Sequence, residues 1–169
     1  MVVTKLKIRI YGDPCLRQVC DPIDKIGSSE RMLIESMIMT MHAQKGIGLA
    51  APQVGITKRL FVADVGEGPE VFINPKIKKL SGKSVLDEGC LSIPGINVEM
   101  TRSAKVTVEY VNMNGKKSQR TCEDLLARVV QHENDHLNGK LIIDYIDPKK
   151  LKEVESHLND LKTTRQGAM

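Results

Sequence analysis

The order of helical and strand signals predicts a single α+β domain over residues 1–169. It consists of mostly antiparallel strands around one buried central helix, with an additional N-proximal helix and a C-terminal helix. Three observations carry this reading. Residues 28–44 repeat Met and Ile at helical spacing, an Asn114-Gly115 pair separates two strand-like runs, and residues 123–138 present apolar stripes on two adjacent helical faces.

Taken in order, "LKIRIY" reads as a strand and "DPCLRQVCDPI" as an extended, proline-punctuated segment. "SSERMLIESMIMTMHAQ" is a helix with Ser28 or Ser29 as its N-cap, and its Met stripe is core material rather than a ligand set. "GIGLAAPQVG" is a loop. "RLFVADV", "FINPKIKKL" and "INVEMTRSAKVTVEYV" are strand material, and the last continues through the Asn114-Gly115 turn into "SQRTC". The second clear helix runs from about Glu123 to Asn138, with Thr121 and Asp124 at capping-box spacing and Gly139 at its end. A last helix starts near Pro148 and carries Leu151, Val154, Leu158 and Leu161 on one stripe.

Composition narrows the function classes. A hydrophobic fraction of 41% with 27% charged residues is that of an ordinary soluble globular chain. The N-terminal apolar run is too short for a signal peptide and no later segment spans a bilayer, so a cytoplasmic protein without membrane contact is expected. Cys15, Cys20, Cys90 and Cys122 are then reduced, and a cysteine near chemistry reads as ligand or nucleophile. A net charge of +4 with two Phe, three Tyr and no Trp argues against DNA binding.

The chemistry concentrates in "QHENDHLNG". On a helix, His132 and His136 share a stripe with Leu125 and Val129, and Glu133 shares the adjacent one with Leu126 and Val130. A carboxylate on an apolar stripe is costly unless paired or used, whereas beside a divalent cation it stays charged and takes a proton from water. Histidines one turn apart both reach one ion. Asp135 and Arg128 fall on the polar side, and for Arg128 solvent is preferred over a pocket rim.

Two imidazoles leave a third ligand to find. Gly139 sits where metzincin proteases place a glycine, but their third His is replaced by Ile142. His42 closes a helix, His157 and Glu155 lie on a polar helix edge, and Cys122 is about 15 Å along the axis from His132. Cys90 lies in the glycine-rich "DEGCLSIPG", a turn able to aim a thiolate, and on chemistry alone it leads these candidates.

Gly46-x-Gly48-x-x-Ala51, with Asp64 beyond, matches a dinucleotide fingerprint, but a helix precedes it and Pro52 follows, so the context fails. The better reading is a loop of small residues that lets a substrate backbone approach, with the Gln53 amide as a donor for a developing oxyanion.

"GIGLAAPQ", "EGCLS" and "QHENDHLNG", in this order and spacing, resemble the three motifs of the peptide deformylases. The continuation "IPG" and the helical C-terminus are similar to the bacterial type 1 branch, and the likeness runs from "YGDPCLR" to the last helix. The resemblance implies that Cys90, His132 and His136 bind one divalent metal ion and that Glu133 is the catalytic acid/base. It also implies that Gln53 and the Leu91 N–H hold the oxyanion and that Ile47 and Gly48 pair with the substrate main chain. An ion pair between Glu88 and Arg102 would brace the cysteine turn. Fe(II) is the expected ion, with Zn, Ni or Co able to replace it.

The activity so implied is hydrolysis of the N-formyl group from the formyl-methionine of new polypeptides. Leu125, Val129 and Ile47 are expected to form the methionine pocket. Nascent chains are the partners, and a ribosome contact is expected through the last helix, with Lys149, Lys150, Lys152, Lys162 and Arg165. The rival readings are an HExxH metallopeptidase, weakened by the missing downstream ligand, a non-catalytic metal-binding domain, which lacks a fourth Cys or His, and a cysteine hydrolase.

Overall fold

In the computed structural model, which describes residues 3–166 and side chains as far as Thr163, helix α1 spans Ser28–Ala43. Its N-cap is Gly27 rather than a serine, because the Glu30 carboxylate reaches back to accept the Gly27 N–H at 3.0 Å. Four further helical and strand segments reach the site: β1 (Gly48–Ala50), β4 (Ser84–Cys90), β5 (Ile93–Arg102) and α2 (Asp124–His136). Around them lie β2 (Leu60–Ala63), β3 (Glu70–Ser81), β6 (Lys105–Val111), β7 (Lys117–Glu123) and α3 (Pro148–Gln166).

The architecture is α+β with antiparallel sheets, as the element order predicts. A five-stranded sheet runs β1-β2-β3-β6-β7, and β4 and β5 form a separate two-stranded sheet. The larger sheet is covered on both faces, because alternate residues of β2 point opposite ways. Phe61 packs with Phe72, Val106 and Val108 under Leu126, Ala127 and Val130 of α2. Leu60 and Val62 pack with Leu49 and Ile73 under Ile34, Met37 and Met41 of α1. A third apolar cluster joins Ile93, Ile96, Val98 and Met100 of β5 to Leu141, Ile142 and Leu158, the last being the buried member of the expected α3 stripe. No helix among the described residues is long and apolar enough to cross a membrane.

Several local expectations are corrected. "LKIRIY" is not a strand: its first backbone donor, Leu6 N–H, goes to Thr40 Oγ1 of α1 at 2.8 Å, and just before it Ser36 Oγ accepts from Thr4 N–H at 3.2 Å. The same segment then ties two site loops, Arg9 N–H donating to Gln53 O at 2.7 Å and Tyr11 N–H to Ser92 O at 2.8 Å. Pro14–Arg17 is a short 3-10 helix rather than extended chain. The glycine-rich loop contains β1, which pairs with β2 at Gly48↔Ala63, followed by a 3-10 turn over Ala51–Val54. The β6–β7 connection is five residues long, since Asn112 Oδ1 accepts from both Asn114 and Lys116 N–H. Helix α2 begins at Asp124, with Glu123 as its N-cap and without the expected capping box. The side chain of Arg165, counted in the basic C-terminal helix, lies outside the described residues.

Candidate metal centre

The end of α2 that carries His132 and His136 faces the last residue of β4. His132 Nε2 and His136 Nε2 are 3.2 Å apart, and Cys90 Sγ is 3.3 Å from His136 Nε2. All three donor atoms lie within 4.8 Å of one another. With bonds of ~2.1 Å to nitrogen and ~2.3 Å to sulfur, a tetrahedron has edges of about 3.4–3.6 Å. The two separations from His136 Nε2 match these within a few tenths of an ångström.

The surroundings fit a cation. Glu88 Oε2 lies 3.1 Å from His132 Nδ1, so that nitrogen carries the hydrogen and Nε2 turns its lone pair to the cluster. Burial holds His136 well below the ordinary imidazole value, and proximity to His132 pushes it the same way. Burial opposes charge on His132 too, but its contacts with Cys90 and Glu88 outweigh it and the net direction is upward. His136 Nδ1 and Glu133 Oε2 are buried with no hydrogen-bond partner among the described residues.

Glu133 is 4% exposed, and burial pushes its carboxyl up to about 7 against the opposing influence of His132. Its carboxylate lies against the backbone of β1: a Cβ on Gly48 would collide with Glu133 Oε1 and meet Val129 Cγ1 at 2.8 Å. Gln53 is fixed by Ala50 N–H, which donates to its Oε1 at 2.8 Å. Its Nε2 is thereby aimed at Ser92 Oγ, 3.2 Å away, and at Cys90 Sγ, 3.6 Å away.

A cleft of about 490 Å³ opens on the cluster and is bordered by Ile47, Gly48, Gln53, Leu91, Val129 and Glu133 among others. Leu125 stands apart. At the first turn of α2, about 10 Å along the axis from His132, it is 41% exposed and borders a different cavity with Glu123 and Asp124. The expectation that it forms the methionine pocket is corrected accordingly. Ile93 and Ile96 of β5 line the cleft and supply apolar surface that their sequence pattern, an ordinary buried strand, did not distinguish.

Glu88 and Arg102 meet as expected, Nε and Nη2 each donating to the carboxylate at 2.9 Å, while Arg102 Nη1 reaches Asp135 at 2.6 Å. Although burial pushes Glu88 up, its donors His132 and Arg102 outweigh this and bring it to about 2. Arg128 is not in solvent. It is buried, lines the cleft and donates to Glu88 Oε1 at 2.6 Å. The one sequence signal for this is its place inside the apolar run "LLARVV". The other candidates lie elsewhere: His42 pairs with Asp64 at 2.8 Å, and His157 Nε2 is 2.7 Å from Pro94 O.

A Cys-His-His donor cluster beside a buried glutamate, at the end of an open cleft in an α+β domain, has the build of a mononuclear metal-dependent hydrolase. Comparison with known proteins makes this specific. The polypeptide deformylase family model matches residues 5–152. A peptide deformylase of Thermotoga sp. (strain RQ2) is 47% identical over 159 residues, 94% of this chain and 97% of the relative. The crystal structure of the Thermotoga maritima peptide deformylase is 49% identical with a TM-score of 0.83, over 85% of this chain and 99% of that one. The Ehrlichia chaffeensis peptide deformylase in complex with actinonin is 36% identical with a TM-score of 0.89, over 93% and 97%. The chain belongs to the polypeptide deformylase family. Its activity is that family's metal-dependent hydrolysis: removal of the N-formyl group from the formyl-methionine of newly synthesised polypeptides, with release of formate.

Proposed function

We propose that the chain acts as one catalytic domain in which α2 is a buried central metal-binding helix, with Cys90, His132 and His136 holding the ion. The observation that carries this is the convergence of the three donor atoms within 4.8 Å of one another, with His132 Nε2 and Cys90 Sγ at 3.2 and 3.3 Å from His136 Nε2. A divalent cation held there supplies Lewis acidity, lowering the pKa of water and polarising the formyl oxygen. Fe(II) is the proposed native ion, and the donor set accepts Zn, Ni or Co as well.

Glu133 takes the proton from the attacking water and returns it to the amide nitrogen as the carbon–nitrogen bond breaks, leaving formate and a free N-terminus. Its buried, unpartnered Oε2 and the burial that raises its carboxyl both suit a group that alternates between base and acid. Gln53 Nε2 and the Leu91 N–H donate to the oxyanion, and the fixed Gln53 amide costs little reorganisation as charge develops.

Ile47 and Gly48 pair with the substrate main chain. Both β1 and β4 border the cleft, each with one hydrogen-bonded neighbour, so an extended peptide fits between them as an added strand. The methionine side chain takes the apolar surface of Ile47, Val129, Ile93 and Ile96. Formylated chains arise at the ribosome in the cytoplasm, and the exposed Lys149, Lys150 and Lys152 of α3 are the proposed contact there.

The test uses anaerobically purified, metal-loaded protein with a formyl-Met peptide and its acetylated and unblocked forms. Formate from the formylated peptide alone is the expected result. Peptide fragments without formate would establish a peptidase instead.

A further inference from the structure

The proposed ligands sit on two separate pieces of structure. His132 and His136 belong to α2, which packs on the five-stranded sheet, whereas Cys90 ends a strand of the two-stranded sheet. Strands β4 and β5 share no backbone ladder with the larger sheet, so the distance from Cys90 to the histidines depends on side chains that cross the gap.

Arg128 crosses it at several points. From α2, one guanidinium nitrogen donates to Glu88 Oε1 at 2.6 Å and to Met100 O at 3.1 Å, and the other to Ser84 O at 2.7 Å and Ser84 Oγ at 3.3 Å. One planar fork thereby grips both strands of the hairpin and the carboxylate that orients His132. Arg102 and Asp135 add a link further along α2, but that link comes from β5 alone.

We propose that Arg128 is a positioning residue for the ion: it fixes the hairpin that carries Cys90 against the helix that carries His132 and His136, and through Glu88 it keeps His132 Nε2 turned to the ligand point. This rests on the reading of Cys90, His132 and His136 as ligands. A purely stabilising role is a poor account of the residue. Burying a guanidinium is costly, and Glu88 would keep Arg102 and His132 as partners without it. Arg128 bonds both β4 and β5 from a single side chain of α2 and adds a third set of donors to the carboxylate.

The experiment is a chelator-competition titration of Co(II) on the full chain, read by the thiolate-to-cobalt absorption band, well below the unfolding transition. Wild type, Arg128→Met and Arg128→Lys are compared, with thermal unfolding of each metal-free protein alongside. Arg128→Met should bind cobalt roughly 10- to 100-fold more weakly, the range found when groups that orient metal ligands are removed. Arg128→Lys should fall between, because an ammonium keeps the Glu88 contact but cannot span both strands. Cobalt affinity equal to wild type in either variant, whatever the melting temperature, overturns the proposal. Absence of the thiolate band in wild type itself would instead remove the ligand reading on which it stands.

Discussion

Glu88 Oε2 lies 3.1 Å from His132 Nδ1, while the rest of the same carboxylate is taken by Arg102 and Arg128. This single buried acid therefore sets the tautomer of one proposed ligand and accepts from two buried guanidinium groups, one of which also has Asp135 as a counter-ion. Glu88→Ala removes both functions at once. Metal content after dialysis should fall, with affinity weakened roughly 10- to 100-fold, and Arg128, left buried without its carboxylate, should cost about 3–5 kcal/mol of stability in urea unfolding. A variant that keeps full metal content and stability would show that the contact orders nothing.

Glu133 differs from Glu88 in having no cationic partner within hydrogen-bond reach among the described residues, so that burial raises its carboxyl, whereas the donors of Glu88 outweigh burial and lower that one. Glu133→Gln keeps the shape and leaves the three donor atoms untouched. The metal should stay bound, measured by elemental analysis, while formate release slows roughly 10²- to 10⁴-fold, the usual share of a general acid–base group. Loss of metal in this variant would make Glu133 a ligand rather than a proton carrier.

The ligand helix is legible in the sequence because a carboxylate and two imidazoles interrupt otherwise apolar stripes, an arrangement that is costly unless the three groups are put to use together. Cys90 is legible only as the best of several candidates, since its approach depends on a hairpin folding back onto α2. Helical periodicity assigns Arg128 to the polar side, whereas the second sheet covers that side of α2 and makes it an interior. Leu125 departs from expectation for the converse reason: the helix starts so close to it that its stripe begins in solvent. The N-terminal "LKIRIY" has strand alternation, but its backbone donors go to the Thr40 hydroxyl on α1 and to the Gln53 and Ser92 carbonyls, a match that no local pattern encodes. Local periodicity thus carries element identity, and the contacts between distant elements decide the site.

Away from the site, Glu30 anchors the start of α1. The bond from Lys58 at 2.8 Å, then the Ser29 hydroxyl and the Gly27 N–H, lower its carboxyl to about 2. A carboxylate lowered in the folded state contributes stability that is fully present above its unfolded value of about 4.3 and is lost as pH falls through the folded value. Unfolding midpoints measured between about pH 4.5 and 2 should therefore drop less steeply in Glu30→Gln than in wild type. Parallel curves would mean that the helix-capping carboxylate titrates normally.

Gly48 is where the substrate-facing strand and the proposed catalytic acid touch. A β-carbon there would collide with Glu133 Oε1 and come to 2.8 Å from Val129 Cγ1, two side chains that are themselves buried. Gly48→Ala should accordingly cost about 1–3 kcal/mol through overpacking. The displaced carboxylate should also lower kcat at saturating substrate more than the stability loss explains, while the ligands, on the other stripe, keep their metal. Formate-release kinetics and metal content on the same preparation separate these effects. Wild-type kcat with a destabilised fold would mean that β1 yields instead of Glu133, and that the close approach serves packing alone.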